Sequence, residues 1–256
     1  MKFLKNTYVY LALFPLILGK TTQVFAQQDV QLSQYMFNTI AFNPAYAGSA
    51  DLFNATALYR AQWTGFKGSP NTQVITANSP LKNKKLAMGG SLFNDDIGSA
   101  HSYGLSVDFA YRILFRNSQL AFGTKVGFEV FQGNFTEVII NDPNDQSFAS
   151  NVNKFLPNVG FGAYYYGERF YVGLSAPKLV TNKIYDQLPG TISRGKQSIS
   201  TYLTGGYVFY FNKWLAFKPS VLFKFVENAP ASIDINANFL FIDRLWVGAL
   251  YRPEVA

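Results

Sequence analysis

The stretch SQLAFGTKVGFEVF, from Ser118 to Phe131, decides the fold class because its apolar residues occupy every second position. Successive side chains of a β-strand point to opposite faces, so this alternation gives one apolar face and one face of small or charged residues. A helical period fits the stretch less well, and we therefore interpret it as an amphipathic strand. The apolar face carries Leu120, Phe122, Thr124, Val126, Phe128 and Val130, and the other face carries Ala121, Gly123, Lys125, Gly127 and Glu129.

The same alternation recurs along the chain in about eleven runs, which are separated by turn-forming residues. Short polar connections such as Arg116-Asn117-Ser118 are typical of antiparallel hairpins. Two connections are longer and cover residues 141–153 and 178–197. The sequence therefore predicts an all-β, antiparallel fold. The predicted strands cover residues 53–63, 71–80, 86–94, 101–113, 118–132, 156–166, 169–177, 198–211, 213–227, 231–241 and 244–252.

A soluble β-sandwich would show the same alternation, but three features favour a membrane barrel. Most runs exceed the five or six residues of an average soluble strand and reach the roughly 9–11 residues that cross a bilayer. Their second face is polar or glycine rather than bulky and aliphatic, as in outer-membrane barrels. We predict an antiparallel transmembrane β-barrel with about 11–12 visible strands, and more in the full-length protein. Aromatic residues lie at run ends, where an interfacial girdle would form: Trp63, Tyr111, Tyr164, Tyr165, Tyr166, Tyr210, Trp214 and Tyr251.

The first 26 residues have the order of a secretory signal peptide. Lys2 and Lys5 precede an apolar run over residues 8–19, and Ala26 is the expected cleavage point. An uncleaved anchor is the alternative, but the run is shorter than the roughly 20 residues of a spanning helix. Cleavage would remove three lysines, and the small remaining positive charge does not indicate nucleic-acid binding. The predicted organisation is a signal peptide (1–26), an N-terminal periplasmic or lumenal segment (27–52) and a barrel (53–256).

The composition leaves little material for catalysis or metal binding. The chain has no cysteine and a single histidine, His101. A lipid-hydrolysing barrel would need a histidine that activates a serine, but Ser102 lies on the opposite face of the strand and no G-x-S-x-G motif is present. The acidic loop 141–145 lacks the glycine and terminal glutamate of an EF-hand. We therefore predict no catalytic, cofactor-binding or metal-binding residues and no cofactor.

Charged and polar residues on the second face of the runs are candidates for the barrel interior. Buried charges are unfavourable unless they are paired or hydrated. These residues therefore either form ion pairs across the interior or line a path for a solute or a substrate segment, and the sequence does not give their pairing. The lumen-facing candidates are Arg60, Gln62, Lys125, Glu129, Lys218, Lys224, Asp234 and Arg252.

The residues before the first run form a second candidate site. Pro44 favours an extended conformation of Asn43, and Gly48 permits a tight reversal. This segment is either a rigid lead-in to the first strand, a plug folded into the barrel, or a contact surface for a partner. The partner-contact candidates are Tyr35, Phe37, Asn43, Pro44 and Tyr46.

Several ordered motifs together resemble one protein family. They are QYMFN (34–38), FNPAYAG (42–48), RAQWTGF (60–66), GSPNT (68–72), NDDIG (94–98), KPS (218–220), DIN (234–236) and GALYR (248–252). In this order they are similar to the PorP/SprF family of Bacteroidota, which is tied to type IX secretion and gliding motility. The resemblance covers essentially the whole chain after the predicted signal peptide.

The resemblance implies a non-enzymatic β-barrel in the outer membrane of a Gram-negative bacterium, surrounded by lipid. It also implies partners among type IX secretion components, reached through a periplasmic lipoprotein or the ring complex. SprF-like members support the export and surface retention of adhesin-type substrates. A passive porin or solute channel is the alternative, and a lipid-hydrolysing barrel is a third hypothesis. Family members usually continue beyond the last strand seen here, so we expect this chain to be truncated at its C-terminus.

Overall fold

The computed structural model describes residues 35–137, 150–183, 197–227, 229–242 and 244–253. The predicted signal peptide (1–26) and the start of the predicted N-terminal segment lie outside these ranges. So do the acidic loop 141–145 and most of the longer connection between residues 178 and 197.

The described residues form one antiparallel sheet, and the prediction of an all-β fold is confirmed. The strands are β1 (Asn54–Ala61), β2 (Asn71–Pro80), β3 (Leu86–Ile97), β4 (Ala100–Leu114), β5 (Ser118–Gly133), β6 (Val152–Gly167), β7 (Phe170–Lys178), β8 (Ser200–Tyr207), β9 (Phe209–Asn212), β10 (Leu215–Val226), β11 (Ser232–Phe241) and β12 (Leu245–Tyr251). Neighbouring strands follow the chain order, except that β8 pairs with β7 and β10 while β9 pairs with β10 alone.

The predicted run over residues 198–211 is divided into two strands. β8 and β9 both pair with β10, so they occupy one position in the sheet. The interruption falls at Val208, whose backbone N–H donates to the carbonyl of Arg169. The register also shifts between Leu215 and Ala216, at the β9 end of β10. The eleven predicted runs therefore correspond, in order, to eleven sheet positions.

The two faces of the sheet differ in the polarity that they expose. On β4, Asp108, Ala110 and Arg112 are buried, whereas Phe109 and Tyr111 are about half exposed at 48% and 51%. The same alternation is present on β2, where Thr72, Val74, Thr76 and Asn78 are buried. A soluble protein buries the apolar face of its sheet and exposes the polar one, so the distribution observed here is the reverse. We call the polar, buried side the inner face and the apolar, exposed side the outer face.

The helical content within the described ranges is four short 3-10 turns. Three of them, Tyr35–Phe37, Thr39–Ala41 and Pro44–Tyr46, precede β1, and the fourth is Phe135–Glu137. No helix in the described part of the chain has the length and apolar character needed to cross a bilayer. We call residues 35–51 the N-terminal segment.

Contacts of the N-terminal segment show that the sheet is strongly curved. Asn38 accepts a hydrogen bond from Thr76 on β2, and Met36, two residues earlier, accepts one from Asn236 on β11. In a flat sheet β2 and β11 would lie eight strand spacings apart, or about 38 Å. Two residues of the segment span far less than this distance, so the inner face wraps around the segment.

The curved sheet is not closed, and this part of the predicted barrel is wrong for the described residues. β1 and β12 each pair on one side only, and no ladder joins them in the described ranges. The physical reason is the number of strand positions. Across eleven antiparallel positions the first and last strands run in the same direction, so they cannot form an antiparallel ladder, and bacterial single-chain barrels accordingly have even strand numbers.

The connections between strands lie at the two opposite edges formed by the strand ends, which we call rims. At the rim where β1 begins, the turns cover residues 81–85, 115–117, 168–169, 213–214 and 242–244. We call this the short-turn rim, and the N-terminal segment enters β1 there. The opposite, long-loop rim includes the two longest connections, which follow β5 and β7.

Candidate functional site

The fold of the N-terminal segment follows from its sequence. Asn43 is extended (φ −128°, ψ 105°), and its side chain accepts a hydrogen bond from the N–H of Ala45 at 3.0 Å. This geometry starts the third 3-10 turn at Pro44, as expected for the residue before a proline. Gly48 has φ +73° and reverses the chain, and an added Cβ would meet Ala87 and Pro80. Both local predictions for these residues are confirmed.

Glycines on the inner face allow the N-terminal segment to approach the strands closely. A Cβ at Gly123 on β5 would overlap the backbone of Ala45, and one at Gly162 on β6 would overlap the side chain of Asn43. At Gly89 on β3 the corresponding clash is with Ile40. Glycine within a strand is typical of a close approach by another part of the backbone. These three glycines therefore leave the space in which the N-terminal segment packs against the strands, and we call this space its bed.

Polar side chains of the inner face bond to the segment along its length. The amide of Asn43 donates to the carbonyl of Ala163 on β6 (3.2 Å), and Asn78 on β2 accepts from the N–H of Gly48 (3.0 Å). The hydroxyls of Tyr35 and Ser220, on β10, lie 3.3 Å apart. Buried polar groups need such partners, so the segment satisfies a face that would otherwise be hydrated.

Arg112 fixes the end of the N-terminal segment that enters β1. Its guanidinium is fully buried, and Nη1 donates to the carbonyl of Gly48 (2.5 Å) and to the carboxylate of Asp51 (2.8 Å). Nε donates to the carbonyl of Lys84 in the turn after β2 (2.7 Å). One side chain therefore joins the segment to the short-turn rim.

Lys125 holds the middle of the segment. It lies opposite Asp108 in the β4–β5 ladder, with Nζ 3.0 Å from the carboxylate. The same ammonium group donates to the carbonyl of Ile40 and to the hydroxyl of Ser106, both at 3.3 Å. Both charged groups are buried. Their mutual attraction and the hydrogen bonds of the ammonium group compensate for the hydration that the two groups lose on burial.

Two further ion pairs lie on the inner face. Lys178 Nζ is 3.0 Å from the carboxylate of Glu129, which also accepts from Gln197 in the connection after β7. Arg252, just after β12, binds both carboxylate oxygens of Asp234, at 2.5 and 2.7 Å. The bidentate geometry is characteristic of strong arginine–carboxylate pairs.

The remaining lumen-facing candidates make other contacts. The ammonium of Lys218 lies 5.3 Å from the ring centre of Tyr171, and that of Lys224 lies 5.9 Å from the ring centre of Tyr202. Arg60 lies on the inner-facing row of β1, opposite Thr72. Gln62 follows the end of β1, and its backbone N–H donates to the carbonyl of Pro70.

The structure thus brings at least four of the eight lumen-facing candidates into ion pairs: Lys125, Glu129, Asp234 and Arg252. The Lys125–Asp108 and Asp234–Arg252 pairs join neighbouring sheet positions, whereas Lys178–Glu129 joins β7 to β5 across β6. Whether the candidates also serve a transport path stays a prediction. Sequence reasoning did not select the ion-pair partners Asp51, Asp108 and Lys178. It also did not select Arg112, which joins the N-terminal segment to the short-turn rim. The spacing of Asp108 and Arg112 on one strand face was the available signal.

The partner-contact candidates lie mostly within the fold. Tyr35, Asn43 and Pro44 are buried, and the ring of Tyr46 packs edge-on against Tyr164 at 5.5 Å. Phe37 is the exception because it is 45% exposed, with its ring 6.0 Å from that of Trp246 on β12. Burial raises the pKa of Tyr35, so its hydroxyl stays neutral beside Ser220. The partner-contact role of these residues stays a prediction.

His101 and Asp96 face each other on β4 and β3 near the long-loop rim, with Nδ1 2.6 Å from the carboxylate. Both side chains are more than a third exposed. The described residues contain no group of three or more His, Asp or Glu side chains placed to hold a metal ion. The absence of a catalytic or metal site stays a prediction.

Comparison with known families decides the relationship. A family described as "Type IX secretion system membrane protein PorP/SprF" matches residues 24–256. The chain belongs to the PorP/SprF family. The match includes the N-terminal segment and every described strand, and the resemblance drawn from the motifs is confirmed. No curated protein and no solved structure matches the chain.

PorP/SprF membership identifies the chain as a membrane protein of the type IX secretion system. The exposed apolar residues of the outer face agree with this assignment, because lipid is the environment in which such a face is stable. Partners are therefore expected among secretion components.

Proposed function

We propose that this PorP/SprF member is a non-enzymatic accessory of type IX secretion in Bacteroidota and that its curved sheet lies in the outer membrane. The observation that supports the proposal best is the sheet itself. Its outer face is apolar and its polar inner face is filled by the chain's own residues 35–51. Such a body is suited to a structural role in the membrane rather than to catalysis.

The two rims support an orientation. Outer-membrane barrels have short turns in the periplasm and longer loops outside the cell. With this orientation the N-terminal segment leads into β1 at the periplasmic side. The predicted signal peptide would direct the export of the chain to the periplasm. A periplasmic lipoprotein or the ring complex would then meet the short-turn rim, and the long loops would face a secreted adhesin of the kind used in gliding motility.

A passive porin is the alternative that the polar inner face favours. Against it, the N-terminal segment contacts strands from β2 to β12, and Gln197 bonds to Glu129 near the other end of the interior. A solute would have to displace these groups. We therefore place the accessory role first.

The deciding experiment is deletion of the gene in its natural host, followed by labelling of adhesins at the cell surface. The accessory role predicts loss of surface adhesin with unchanged uptake of small solutes and unchanged detergent-dependent esterase activity. Complementation with the wild-type gene provides the control. Normal adhesin display with slower solute uptake would contradict the accessory role and support a porin, and loss of esterase activity would support an enzyme.

Co-purification tests the partner link separately. The membrane-inserted protein is solubilised and its associated proteins are identified, with an unrelated outer-membrane barrel as the control. Recovery of a secretion component or a secreted adhesin with this protein alone supports the link. Recovery of neither would contradict it.

A further inference from the structure

The short-turn rim carries a band of positive charge. Each of its five turns contains at least one exposed lysine or arginine. The same turns contain two acidic residues in the sequence, Glu168 and Asp243, the second of which lies outside the described residues. The exposed cations are Lys82, Lys84, Lys85, Arg116, Arg169, Lys213 and Arg244.

Exposed aromatic side chains accompany these cations. Tyr111 lies on the outer face near the end of β4, and Phe115 follows it in the turn that contains Arg116. Trp214 is adjacent to Lys213 and is 65% exposed. The guanidinium of Arg169 lies 5.7 Å from the ring centre of Tyr210. Aromatic rings with lysine and arginine beside them are typical of the level where a bilayer meets water.

The cations are spread along the whole sheet rather than gathered in one patch. They occur in every turn of this rim, from the one between β2 and β3 to the one between β11 and β12. Since the sheet is curved around the N-terminal segment, these turns surround the interior. A protein that docked from one side would meet only some of them, whereas a lipid leaflet would meet them all.

We propose that the short-turn rim binds the anionic phospholipid headgroups of the leaflet that surrounds it. This inference rests on the proposed placement of the chain in a membrane. The phosphate groups lie at the same level as the lysines and arginines, and the neighbouring aromatic rings occupy the boundary with the acyl chains. Each cation near a membrane surface strengthens binding of anionic lipid by about fivefold, so several of them give a clear preference.

The test uses the full chain in nanodiscs made from equal amounts of phosphatidylethanolamine and phosphatidylglycerol. Flotation with the bilayer first establishes insertion. Lipids retained by the protein are then counted by native mass spectrometry. We expect phosphatidylglycerol to be enriched and R116Q/K213Q, which removes two such cations, to reduce the enrichment by about 25-fold. The matched control is K67Q/K183Q, which removes two exposed cations near the long-loop rim and should leave the enrichment unchanged.

Four results would overturn the inference. Equal retention of the two lipids by the wild type, or equal loss in both double variants, would show that the rim has no lipid preference. Loss of a co-purifying periplasmic protein from R116Q/K213Q, with lipid retention unchanged, would make the rim a protein-docking surface. Failure of the wild type to float with the bilayer would contradict the membrane placement itself, and this outcome is visible before any lipid is counted.

Discussion

The two faces of β4 expose and bury opposite kinds of residue. On the inner face Asp108 and Arg112 are hidden, and each has a partner supplied by the chain: Lys125 for the aspartate, and Gly48, Asp51 and Lys84 for the arginine. On the outer face Phe109 has no such cover. The difference shows that charge is stabilised inside by specific partners, whereas the outside depends only on a general apolar environment.

Replacing Arg112 by glutamine should give the largest effect, because it removes the side chain that joins the N-terminal segment to the short-turn rim. The carbonyls of Gly48 and Lys84 and the carboxylate of Asp51 would lose their donors. We expect about 3–5 kcal/mol of destabilisation. The measurement is a urea titration of the protein in lipid vesicles, followed by tryptophan fluorescence.

The matched control for this change is Lys67→Gln, which removes the same charge from an exposed position in the connection after β1. Its effect on stability should be small. Equal loss of stability in both variants would mean that the charge, and not the bonds to the segment, carries the effect.

The alternation of faces could be predicted from sequence because it is a local property. Each run needs only its own period, and the runs near β2, β5 and β10 correspond to the observed strands within two residues or fewer at each end. The pairing of Asp108 with Lys125 was not predicted, because it depends on the register between two strands. The tight turn at residues 115–117 sets the register of β4 and β5, and this register places the two residues opposite each other.

The contacts of Arg112 could not be predicted in the same way. Its bond to Gly48 joins residues 64 positions apart and exists only because the sheet curves around the N-terminal segment. Curvature results from the twist of the whole set of strands rather than from any single run. The open edges of the sheet likewise depend on the number of strand positions.

Placing a charge on the outer face tests the opposite side of the comparison. Phe109→Lys puts an ammonium group near the middle of β4, where lipid is expected, and should destabilise the inserted protein by about 2–4 kcal/mol. Phe109→Leu is the control and should change stability little. The same urea titration provides the measurement. A stable Phe109→Lys variant in vesicles would contradict contact between the outer face and lipid.

Filling the bed of the N-terminal segment should have a smaller effect. Gly123→Ala adds a Cβ that overlaps the backbone of Ala45, and relief of the overlap should cost about 1–3 kcal/mol. The segment should then become more accessible to protease, which is measured as the rate of cleavage near residues 35–51. Thr124→Val, on the outer face of the same strand, is the control. Equal cleavage rates in the two variants would show that the segment does not depend on this bed.

Tyr35→Phe should give the smallest effect, because it removes one hydroxyl that lies 3.3 Å from Ser220 and leaves the ring in place. Near neutral pH we expect a loss of about 1 kcal/mol. Burial raises the pKa of Tyr35 above its ordinary value of 10.0, the bond to Ser220 lowers it, and the charge of Asp234 raises it further. The folded state therefore favours the neutral phenol, so its contribution is complete below pH 10 and declines as the pH rises above that value. The difference in urea midpoint between wild type and Tyr35→Phe, measured across this range, should shrink with increasing pH. A difference that stayed constant would show that this hydroxyl does not ionise differently in the folded and unfolded chains.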